Sequence, residues 1–229
     1  MTRLEELADE YGLAPAGVAA LRAILDLLAS DDTAPTTVRD PERAVDVHVA
    51  DSLSGLVLEE VQSARALADL GAGAGFPGLA LAAALPEAHV FLVESVGRKC
   101  AFMERAIEAA GLSNAAVVCR RAEEWQATND VVTARALAPL AVIAEYAAPL
   151  LRVGGALVAW KGARDAGEEA DARAAADLLG LEARGVRRVG PFPGAQQRHL
   201  HLYSKVRSTP SHFPRRPGMA RKRPLAGSS

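Results

Sequence analysis

Residues 69–78 read Asp-Leu-Gly-Ala-Gly-Ala-Gly-Phe-Pro-Gly, and this stretch decides which fold the chain adopts. It overlaps the end of the apolar run 66–70, which has the length of a buried strand, and Pro77 stands where a helix would begin. Glycines permit positive φ angles and a close approach of a ligand to the main chain, and the first turn of a helix offers unpaired N–H groups. The stretch therefore predicts a strand, a ligand-binding turn and a helix. The alternative is a tight turn that binds nothing.

Two kinds of cofactor compete for such a loop. Gly73-Ala-Gly-Phe-Pro-Gly78 matches the G-x-G-x-x-G fingerprint of dinucleotide-binding proteins. Asp69, two residues before the first glycine, favours the other cofactor. Its charge would repel a pyrophosphate, whereas the ammonium and sulfonium groups of S-adenosylmethionine are cationic. The loop therefore predicts an S-adenosylmethionine-dependent methyltransferase, with an NAD(P)-dependent reductase as the alternative.

Outward from the loop, short apolar runs alternate with amphipathic segments. The strands are predicted at 66–70, 89–93, 116–119, 130–134, 156–160, 181–189 and 198–206, and the helices between them at 77–85, 98–110, 137–150 and 163–179. This alternation implies a parallel sheet covered on both faces, and the turn Pro191–Gly194 would let the last two strands close it as a hairpin. The predicted fold class is α/β and Rossmann-like, a mainly parallel seven-stranded sheet with helices on both faces and an N-terminal helical addition.

The chain is predicted to divide into three parts. Residues 1–62 read as a helical extension packed on the main domain, with one helix beginning at Pro15 and another covering 47–61. Residues 63–207 would form the cofactor-binding domain. Residues 208–229 are rich in proline and arginine, and we expect them to form a basic, flexible tail.

Charge is distributed very unevenly along the chain. Residues 1–182 hold fifteen Lys/Arg and all twenty-eight Asp/Glu, whereas residues 183–229 hold eleven Lys/Arg and no acid. The C-terminal part predicts an anionic partner, nucleic acid first, with a solubilising tail as the alternative. We expect no membrane helix, because no apolar run is long enough, and no signal peptide opens the chain. Cys100 and Cys119 match no metal or disulfide pattern, so we expect a cytoplasmic protein without a metal.

Two further strand ends carry candidate cofactor contacts. Glu94 ends the second strand, where a carboxylate can accept hydrogen bonds from both hydroxyls of a ribose. Its alternative role is a solvated strand end. Arg121-Ala122-Glu123 follows the third strand, where an adenine ring would lie in this architecture. The alternative there is a helix start at which acidic residues interact favourably with the helix dipole.

Several short motifs follow one another in a specific order: Asp-Leu-Gly-Ala-Gly-Ala-Gly-Phe-Pro-Gly-Leu (69–79), Leu-Val-Glu-Ser (92–95), Arg-Lys (98–99), Arg-Ala-Glu (121–123), Asp-Val-Val-Thr-Ala-Arg-Ala (130–136), Pro-Leu-Leu (149–151), Gly-Gly (154–155) and Lys-Gly (161–162). In this order they resemble one bacterial family of class I methyltransferases, the 16S rRNA guanosine-N7 methyltransferases called RsmG or GidB. The Gly-Phe-Pro-Gly and Thr-Ala-Arg-Ala motifs are the most specific. The resemblance covers residues 42–206 and resumes at 215–218 and 221–225.

The resemblance implies one set of cofactor-binding residues around the loop and the following strand ends: Asp69, Gly71, Gly73, Gly75, Phe76, Glu94, Ala122, Glu123 and Arg135. Within this set the loop would hold the methionine part of S-adenosylmethionine, and residues 122–123 would lie by the adenine. Upstream, His48-Val-Ala-Asp-Ser-Leu53 resembles the family's His-x-x-Asp-Ser-Leu. The residues before His48 depart from the family pattern, which leaves a structural histidine as the alternative to a substrate contact.

The reaction implied by the resemblance needs no general base, because N7 of guanine carries no proton. Catalysis would rest on alignment and on electrostatic control of the charge that moves from sulfur to the base. Arg135, expected at the active-site face of the fourth strand, is the candidate for shaping the reaction centre. Its alternative role is a structural ion pair with a nearby carboxylate.

The implied partner is 16S rRNA or the small ribosomal subunit, bound by a monomer. Candidate RNA contacts are cations near the site and in the tail: Lys161, Arg198, Arg207, Arg215, Arg216, Arg221, Lys222 and Arg223. Because few aromatic residues accompany these cations, we expect recognition by shape and charge. An alternative from a different class is a non-catalytic RNA-binding or assembly factor on the same fold.

Overall fold

The computed structural model describes residues 1–225 and contains one seven-stranded sheet with helices on both faces. The strands are β1 (Ala66–Leu70), β2 (His89–Glu94), β3 (Ala115–Cys119), β4 (Asn129–Arg135), β5 (Leu151–Lys161), β6 (Leu181–Val189) and β7 (Arg198–Lys205). Their order across the sheet is β3-β2-β1-β4-β5-β7-β6. Strands β1 to β5 are parallel, whereas β7 runs antiparallel to β5 and β6. The predicted α/β fold class is confirmed, and its closing hairpin is present.

The strand order reverses beside β1, and this reversal places the functional edge of the sheet. The chain moves outward from β1 to β2 and β3, and then returns to the other side of β1 with β4. In open α/β sheets a crevice forms outside the carboxyl ends of the strands at such a switch point. The glycine loop follows β1, and Arg135 ends β4. Both therefore lie at the same edge.

The helices cover both faces of this sheet. They are α1 (Arg3–Tyr11), α2 (Pro15–Ser30), α3 (Pro41–Ala44), α4 (Asp51–Leu53), α5 (Glu59–Gln62), α6 (Gly78–Ala84), α7 (Gly97–Ala110), α8 (Leu140–Ala147), α9 (Ala166–Leu179) and α10 (Met219–Lys222). Helices α6 and α7 pack on one face with the N-terminal helices outside them, and α8 to α10 cover the other face. Within residues 1–225 no helix combines the length and the apolar character needed to cross a membrane.

Helix α2 carries the contact between the N-terminal helices and the sheet layer. Its buried side chains Leu21, Ile24 and Leu28 pack toward α6 and α7. Gly17 permits the close approach, because a Cβ at that position would lie 2.4 Å from the carbonyl oxygen of Ala83 in α6. The amphipathic pattern predicted from the sequence thus becomes a tightly packed helix layer over the sheet.

The helix predicted over 47–61 is not continuous. Val45–Ala50 forms a π-helical turn before α4, and Ser54–Val57 forms a 3₁₀ turn before α5. Side chains compete here with the helical backbone, since the hydroxyl of Ser54 and Nε1–H of Trp160 both donate to the carbonyl of Asp51 at 2.6 and 2.9 Å. These contacts explain why the segment forms a series of short turns, although its apolar residues recur at an uninterrupted helical spacing.

Residues 208–225 pack against α8, which differs from the flexible tail expected from composition. Nη2 of Arg215 lies 2.5 Å from Oε2 of Glu145, and Nε of Arg215 donates to Oε1 at 2.8 Å. The ring of Phe213 packs against the core of the same face. A buried carboxylate partner is not visible in the charge pattern of the tail, so composition could not reveal this contact. Residues 226–229 of the predicted tail lie outside the described residues.

Candidate active site

The glycine loop makes the sharp turn predicted from its composition. Gly71, Gly73 and Gly75 have φ angles of +66°, +62° and +96°, in a region that residues with a side chain rarely adopt. At Gly71 space is also limiting, because a Cβ would lie 2.4 Å from Cδ1 of Leu137. The amide of Gly71 donates to the carbonyl of Val93 at 2.8 Å. The turn therefore holds the loop backbone against the end of β2.

Asp69 supports this loop from beneath, away from the cavity walls described below. Its carboxylate is fully buried, with Oδ2 accepting a hydrogen bond from the amide of Gly78 at 2.9 Å and Oδ1 accepting one from the hydroxyl of Thr133 at 3.0 Å. Burial raises the pKa of Asp69 to about 7. Asp69 is predicted to contact a cationic cofactor, and both of its oxygens are bonded within the protein. The carboxylate holds the first amide of α6 and so fixes the far end of the loop.

A first cavity of about 390 Å³ opens at the start of the glycine loop, beside the carboxyl ends of β2, β3 and β4. This volume lies in the usual range for small-molecule sites. Four residues predicted to bind the cofactor share its wall, namely Gly71, Glu94, Ala122 and Glu123. The sheet brings them together because the carboxyl ends of parallel strands meet at one edge.

Glu94 is the buried carboxylate in the wall of the first cavity. Its Oε1 accepts hydrogen bonds from the amides of Ser95 and Val96 at 2.7 and 2.9 Å, and its Oε2 accepts one from the amide of Gly73 at 3.3 Å. Nζ of Lys99 lies 3.5 Å from Oε2. An ionised carboxylate has about four acceptor positions, so Oε2 retains capacity for a ligand hydroxyl.

The C-terminal segment closes part of the first cavity, which sequence reasoning missed. The amide of Gly218 donates to Oε1 of Glu123 at 2.9 Å, and Nη2 of Arg221 donates to the carbonyl of Leu137 at 3.0 Å. Gly218, Arg221 and Tyr146 all line this cavity. Arg221 was predicted only as an RNA contact. No spacing in the sequence links these residues to the loop, because they reach it only when the chain returns over α8.

Phe76 joins the glycine loop to a second group of residues. In the described part of the chain, Phe76, Gly73 and Gly75 lie outside the wall of the first cavity. The Phe76 ring stacks on the imidazole of His48, with centroids 4.9 Å apart and planes 15° apart. The guanidinium carbon of Arg135 lies 6.0 Å from the centroid of the same ring, at the limit of a cation–π contact.

A second cavity of about 400 Å³ lies at the ends of β4 and β5 and adjoins the first. Its wall carries polar and aromatic side chains from several elements: His48, Asp51, Arg135, Trp160, Lys161 and Arg198. Ala136 borders both cavities. The φ angle of Ala136 is +52°, and strained backbone of this kind clusters at functional sites. The two cavities therefore meet at a strained backbone position.

Arg135 and Asp51 form an ion pair in the second cavity. Nη1 of Arg135 donates to Oδ2 of Asp51 at 2.8 Å and to the carbonyl of Val47 at 3.0 Å. Nε of Arg198 lies 3.3 Å from the other oxygen of Asp51. The ion pair that we gave as the alternative for Arg135 is thus present. Arg135 lines the second cavity, whereas the cofactor contact inferred from the resemblance would require the first.

His48 is a buried, neutral histidine at the wall of the second cavity. Burial lowers its pKa to about 4, and the positive charge of Arg135 acts in the same direction. Nε2 of His48 lies 3.1 Å from the hydroxyl oxygen of Thr36. Its Nδ1 is buried without a hydrogen-bond partner among residues 1–225. The ring is therefore held at Nε2, whereas Nδ1 has no partner among these residues.

The cations predicted to bind RNA occupy different positions around the sheet. Lys161 and Arg198 line the second cavity, and Lys161 is paired with Oε1 of Glu168 at 2.6 Å. Three others are exposed in or next to the short helix α10, namely Arg216, Lys222 and Arg223. The remaining tail residues are engaged within the protein, Arg215 with Glu145 and Arg221 with Leu137.

Arg207 lies at the opposite edge of the sheet from both cavities. Strand β7 runs antiparallel to β5, so its carboxyl end is beside the amino end of β5. Just beyond that end, the guanidinium of Arg207 donates to the carbonyl of Asp177. The eight predicted cations therefore do not form one continuous patch in the described structure.

The arrangement can hold two organic ligands side by side. The first cavity offers a buried carboxylate and loop backbone, which suit a nucleoside with free hydroxyls. The second offers an ion pair, a neutral imidazole and an indole. Among residues 1–225, no group of three or more His, Cys, Asp or Glu side chains is placed to hold a metal ion.

Comparison with known proteins identifies similar sequences. The chain matches the family model described as "GidB: rRNA small subunit methyltransferase G" over residues 23–200. A ribosomal RNA small subunit methyltransferase G from Rubrobacter xylanophilus is 42% identical over 198 residues, covering 82% of this chain and 76% of that relative. A protein with the same description from Symbiobacterium thermophilum is 38% identical over 224 residues, covering 92% of this chain and 91% of that relative.

Solved structures with low sequence identity share the fold. A ribosomal protein L11 methylase from Lactobacillus delbrueckii subsp. bulgaricus has a TM-score of 0.54 at 15% identity, covering 69% of this chain and 78% of that chain. Fibrillarin from Aeropyrum pernix, with natively bound S-adenosylmethionine, has a TM-score of 0.50 at 18% identity, covering 67% of this chain and 72% of that chain. These likenesses assign the sheet and its helices to the class I methyltransferase fold.

Proposed function

Because the chain belongs to the rRNA small subunit methyltransferase G family, we propose that it transfers the methyl group of S-adenosylmethionine to N7 of a guanosine in 16S rRNA. The first cavity would hold the cofactor, and the second would hold the guanine. The observation that carries the proposal is the meeting of the two cavities at Ala136. A direct displacement needs donor and acceptor in adjoining sites with their reacting atoms aligned.

The residues of the first cavity fit S-adenosylmethionine. Glu94 keeps acceptor capacity on Oε2 for a ribose hydroxyl, and Gly71 lets the loop backbone approach the ligand. Ala122 and Glu123 line the same cavity and would contact the adenine. When bound, the cofactor supplies an electrophilic methyl group on a sulfonium. Asp69 would act on this site through the loop, since its carboxylate is bonded to the amide of Gly78.

The second cavity fits a base that becomes positively charged on methylation. His48 stays neutral because its pKa is lowered to about 4, so it adds no charge beside the base. The positive charge of Arg135 is offset by Asp51 at 2.8 Å. Fixed dipoles and paired charges of this kind need little reorganisation during the reaction. We propose that Arg135 shapes this cavity as a positioning residue, with no general base required.

An RNA-facing surface would surround both cavities. Arg198 lies at the second cavity, and the exposed cations Arg216, Lys222 and Arg223 are close in sequence to Gly218 and Arg221, which line the first. Contacts to phosphates from these residues would position a folded RNA without reading its sequence.

We propose further that the protein acts as a monomer in the cytoplasm on 16S rRNA or the small ribosomal subunit. The free thiols Cys100 and Cys119 suit a reducing compartment. The relatives above are methyltransferases, so the reductase alternative has no support.

The test is methyl transfer by the purified chain to small subunits from a strain that lacks the corresponding gene. We expect mass spectrometry of nuclease digests to detect 7-methylguanosine in 16S rRNA only when active protein and S-adenosylmethionine are both added. A matched control is Gly71→Val, which would place side-chain atoms against Leu137 and block the loop. A methyl group on any other atom would contradict the N7 assignment. RNA binding without any transfer would favour the non-catalytic assembly factor.

A further inference from the structure

Asp51 carries a buried carboxylate oxygen without a hydrogen-bond partner. The side chain is 8% exposed, and its Oδ2 accepts a hydrogen bond from Arg135. Its Oδ1 is shielded from solvent and accepts none from residues 1–225. Nε of Arg198 lies 3.3 Å from Oδ1 but outside hydrogen-bond geometry. Buried acceptors in native sites have partners as a rule. Since Asp51 lines the second cavity, a ligand there is the partner to consider.

The chemistry of this oxygen selects an N–H donor. An ionised carboxylate only accepts hydrogen bonds, and its charge repels phosphate oxygens. The cations around the cavity do not reverse this preference, because Arg135 and Arg198 both lie within ion-pair distance of Asp51 and Lys161 is paired with Glu168. The surroundings of Oδ1 therefore favour a neutral base over the phosphate backbone. Nδ1 of His48, buried and unpartnered among the described residues, is a second polar position in the wall of this cavity.

Guanine presents different groups on opposite edges. The N7 and O6 acceptors share the Hoogsteen edge, whereas the N1–H and 2-amino donors lie on the Watson–Crick side. Resting on the proposed function, we propose that Oδ1 of Asp51 accepts a hydrogen bond from the N1–H or 2-amino group of the target guanine. A base held in this way leaves N7 uncovered for the methyl group. Asp51 is then the residue that selects guanine and presents the correct edge.

The first test uses the full wild-type chain saturated with S-adenosylhomocysteine, so that the first cavity is filled. The probes are GMP, 7-deaza-GMP, 1-methyl-GMP and AMP, titrated by calorimetry. We expect GMP and 7-deaza-GMP to bind equally, because N7 is not contacted. We expect 1-methyl-GMP and AMP to bind at least about 10-fold more weakly, because the methyl group replaces the N1–H donor and crowds the adjacent 2-amino group, and AMP lacks both donors. Equal binding of 1-methyl-GMP and GMP would overturn the inference, as would the absence of GMP binding at millimolar concentration.

The second test compares Asp51→Asn with the matched control Asp46→Asn. Both variants remove one carboxylate from the same helical segment, but Asp46 pairs with Arg3 and lies away from the second cavity. In Asp51→Asn, the amide oxygen keeps the hydrogen bond from Arg135. The NH₂ group then takes the position of Oδ1, where its N–H donors would meet the N–H donors of guanine. We expect the GMP affinity to fall about 10- to 100-fold and the ratio of GMP to AMP affinity to shrink. Asp46→Asn should change neither quantity.

The affinity ratio separates base recognition from a structural role of Asp51. Loss of packing would weaken GMP and AMP alike and leave their ratio unchanged, and that outcome would overturn the inference. If Asp51→Asn does not fold, the wild-type titration decides. Failure of the proposed function is seen separately: GMP selectivity without methyl transfer to rRNA would refute the enzyme activity and retain the base site. Methyl transfer to N7 without any preference for GMP over AMP would refute the base site and retain the enzyme activity.

Discussion

At the scale of single residues, Glu94 is bound by three backbone amides and faces the first cavity. We predict that Glu94→Gln weakens binding of S-adenosylhomocysteine about 10- to 100-fold. The substitution removes an ionic hydrogen-bond acceptor for the ribose, which contributes about 1.5–3 kcal/mol to binding. Isothermal titration calorimetry measures the dissociation constant. Glu87→Gln, an exposed carboxylate before β2, is the matched control and should leave it unchanged. An unaltered dissociation constant for Glu94→Gln would refute the ribose assignment.

The buried carboxylate of Asp69 should make stability depend on pH. Burial raises the pKa of Asp69 to about 7 in the folded chain, above the ordinary value of about 4. The folded chain therefore binds this proton more tightly than the unfolded chain, and the associated stability is lost as pH rises from about 4 to about 7. Asp69→Asn removes this titration. We predict that the Tm of the variant minus the Tm of wild type increases from about pH 5 to about pH 8.

Thermal unfolding at the two pH values tests the Asp69 prediction. The control is Asp26→Asn, which removes an exposed carboxylate of α2 and should show a Tm difference that does not change with pH. The same pH independence in Asp69→Asn would show that the buried carboxyl does not titrate in this range.

Residues at strand ends could be predicted from sequence, and residues that reach the site by tertiary contact could not. Glu94 and Ala122 follow apolar runs whose parallel pairing places their ends at one edge, so the sequence pattern contains their location. Their roles toward the cofactor stay predictions. Asp69 was expected against the ligand, but its oxygens are bonded to Gly78 and Thr133. Hydrogen-bond geometry of this kind depends on atomic positions that no local pattern records.

At the scale of elements, the segment 208–225 is joined to α8 by the ion pair of Arg215 with Glu145, whose side chain is 1% exposed. We predict that Arg215→Ala lowers the free energy of unfolding by about 3 kcal/mol, because it leaves a buried charge unpaired. Urea denaturation measures this change. Adding Glu145→Gln should restore part of the loss. Arg216→Ala, an exposed neighbour, is the control and should change stability by no more than about 0.5 kcal/mol. Equal effects of the two alanine variants would contradict a stabilising pair.

The helices and strands themselves were predicted well where the apolar residues follow one spacing and no side-chain hydrogen bonds compete with the backbone. The strands β1 and β6 begin and end at the predicted residues. Strand β1 is a short apolar run, and β6 is flanked by Gly180 and Gly190. The segment 45–57 was predicted poorly. Side chains of Ser52 and Ser54 donate to backbone carbonyls within it, and such bonds alter helix geometry without altering the apolar period.

At the scale of the whole molecule, the C-terminal segment lines the first cavity through Gly218 and Arg221 and carries the exposed cations Arg216, Lys222 and Arg223. We predict that deleting residues 208–229 weakens binding of S-adenosylhomocysteine, because Gly218 and Arg221 leave the first cavity. The deletion should also weaken RNA binding and flatten its salt dependence, by about 0.7–0.9 in log–log slope for each phosphate that the protein no longer neutralises. Calorimetry and filter binding at several salt concentrations measure the two effects.

A triple variant separates these two roles of the segment. Arg216→Gln with Lys222→Gln and Arg223→Gln removes three exposed charges but keeps Arg215 on Glu145. We expect it to flatten the salt dependence of RNA binding and to leave cofactor affinity unchanged. RNA affinity equal to wild type in both the deletion and the triple variant would make the segment a solubiliser. The charge asymmetry of the chain can be read from its sequence. Only the fold shows that Arg207 lies at the opposite edge of the sheet from the two cavities.

The shared wall at Ala136 has a consequence for ligands made by chemists. Because this residue borders both cavities, an adenosine and a guanine joined by a short linker would, on the proposed function, occupy the two sites at once. Once one half is seated, capture of the other becomes intramolecular, and its effective concentration is set by the linker. A bisubstrate compound of matched span would then exceed the affinity of either half by about a hundred- to ten-thousand-fold without any additional interaction.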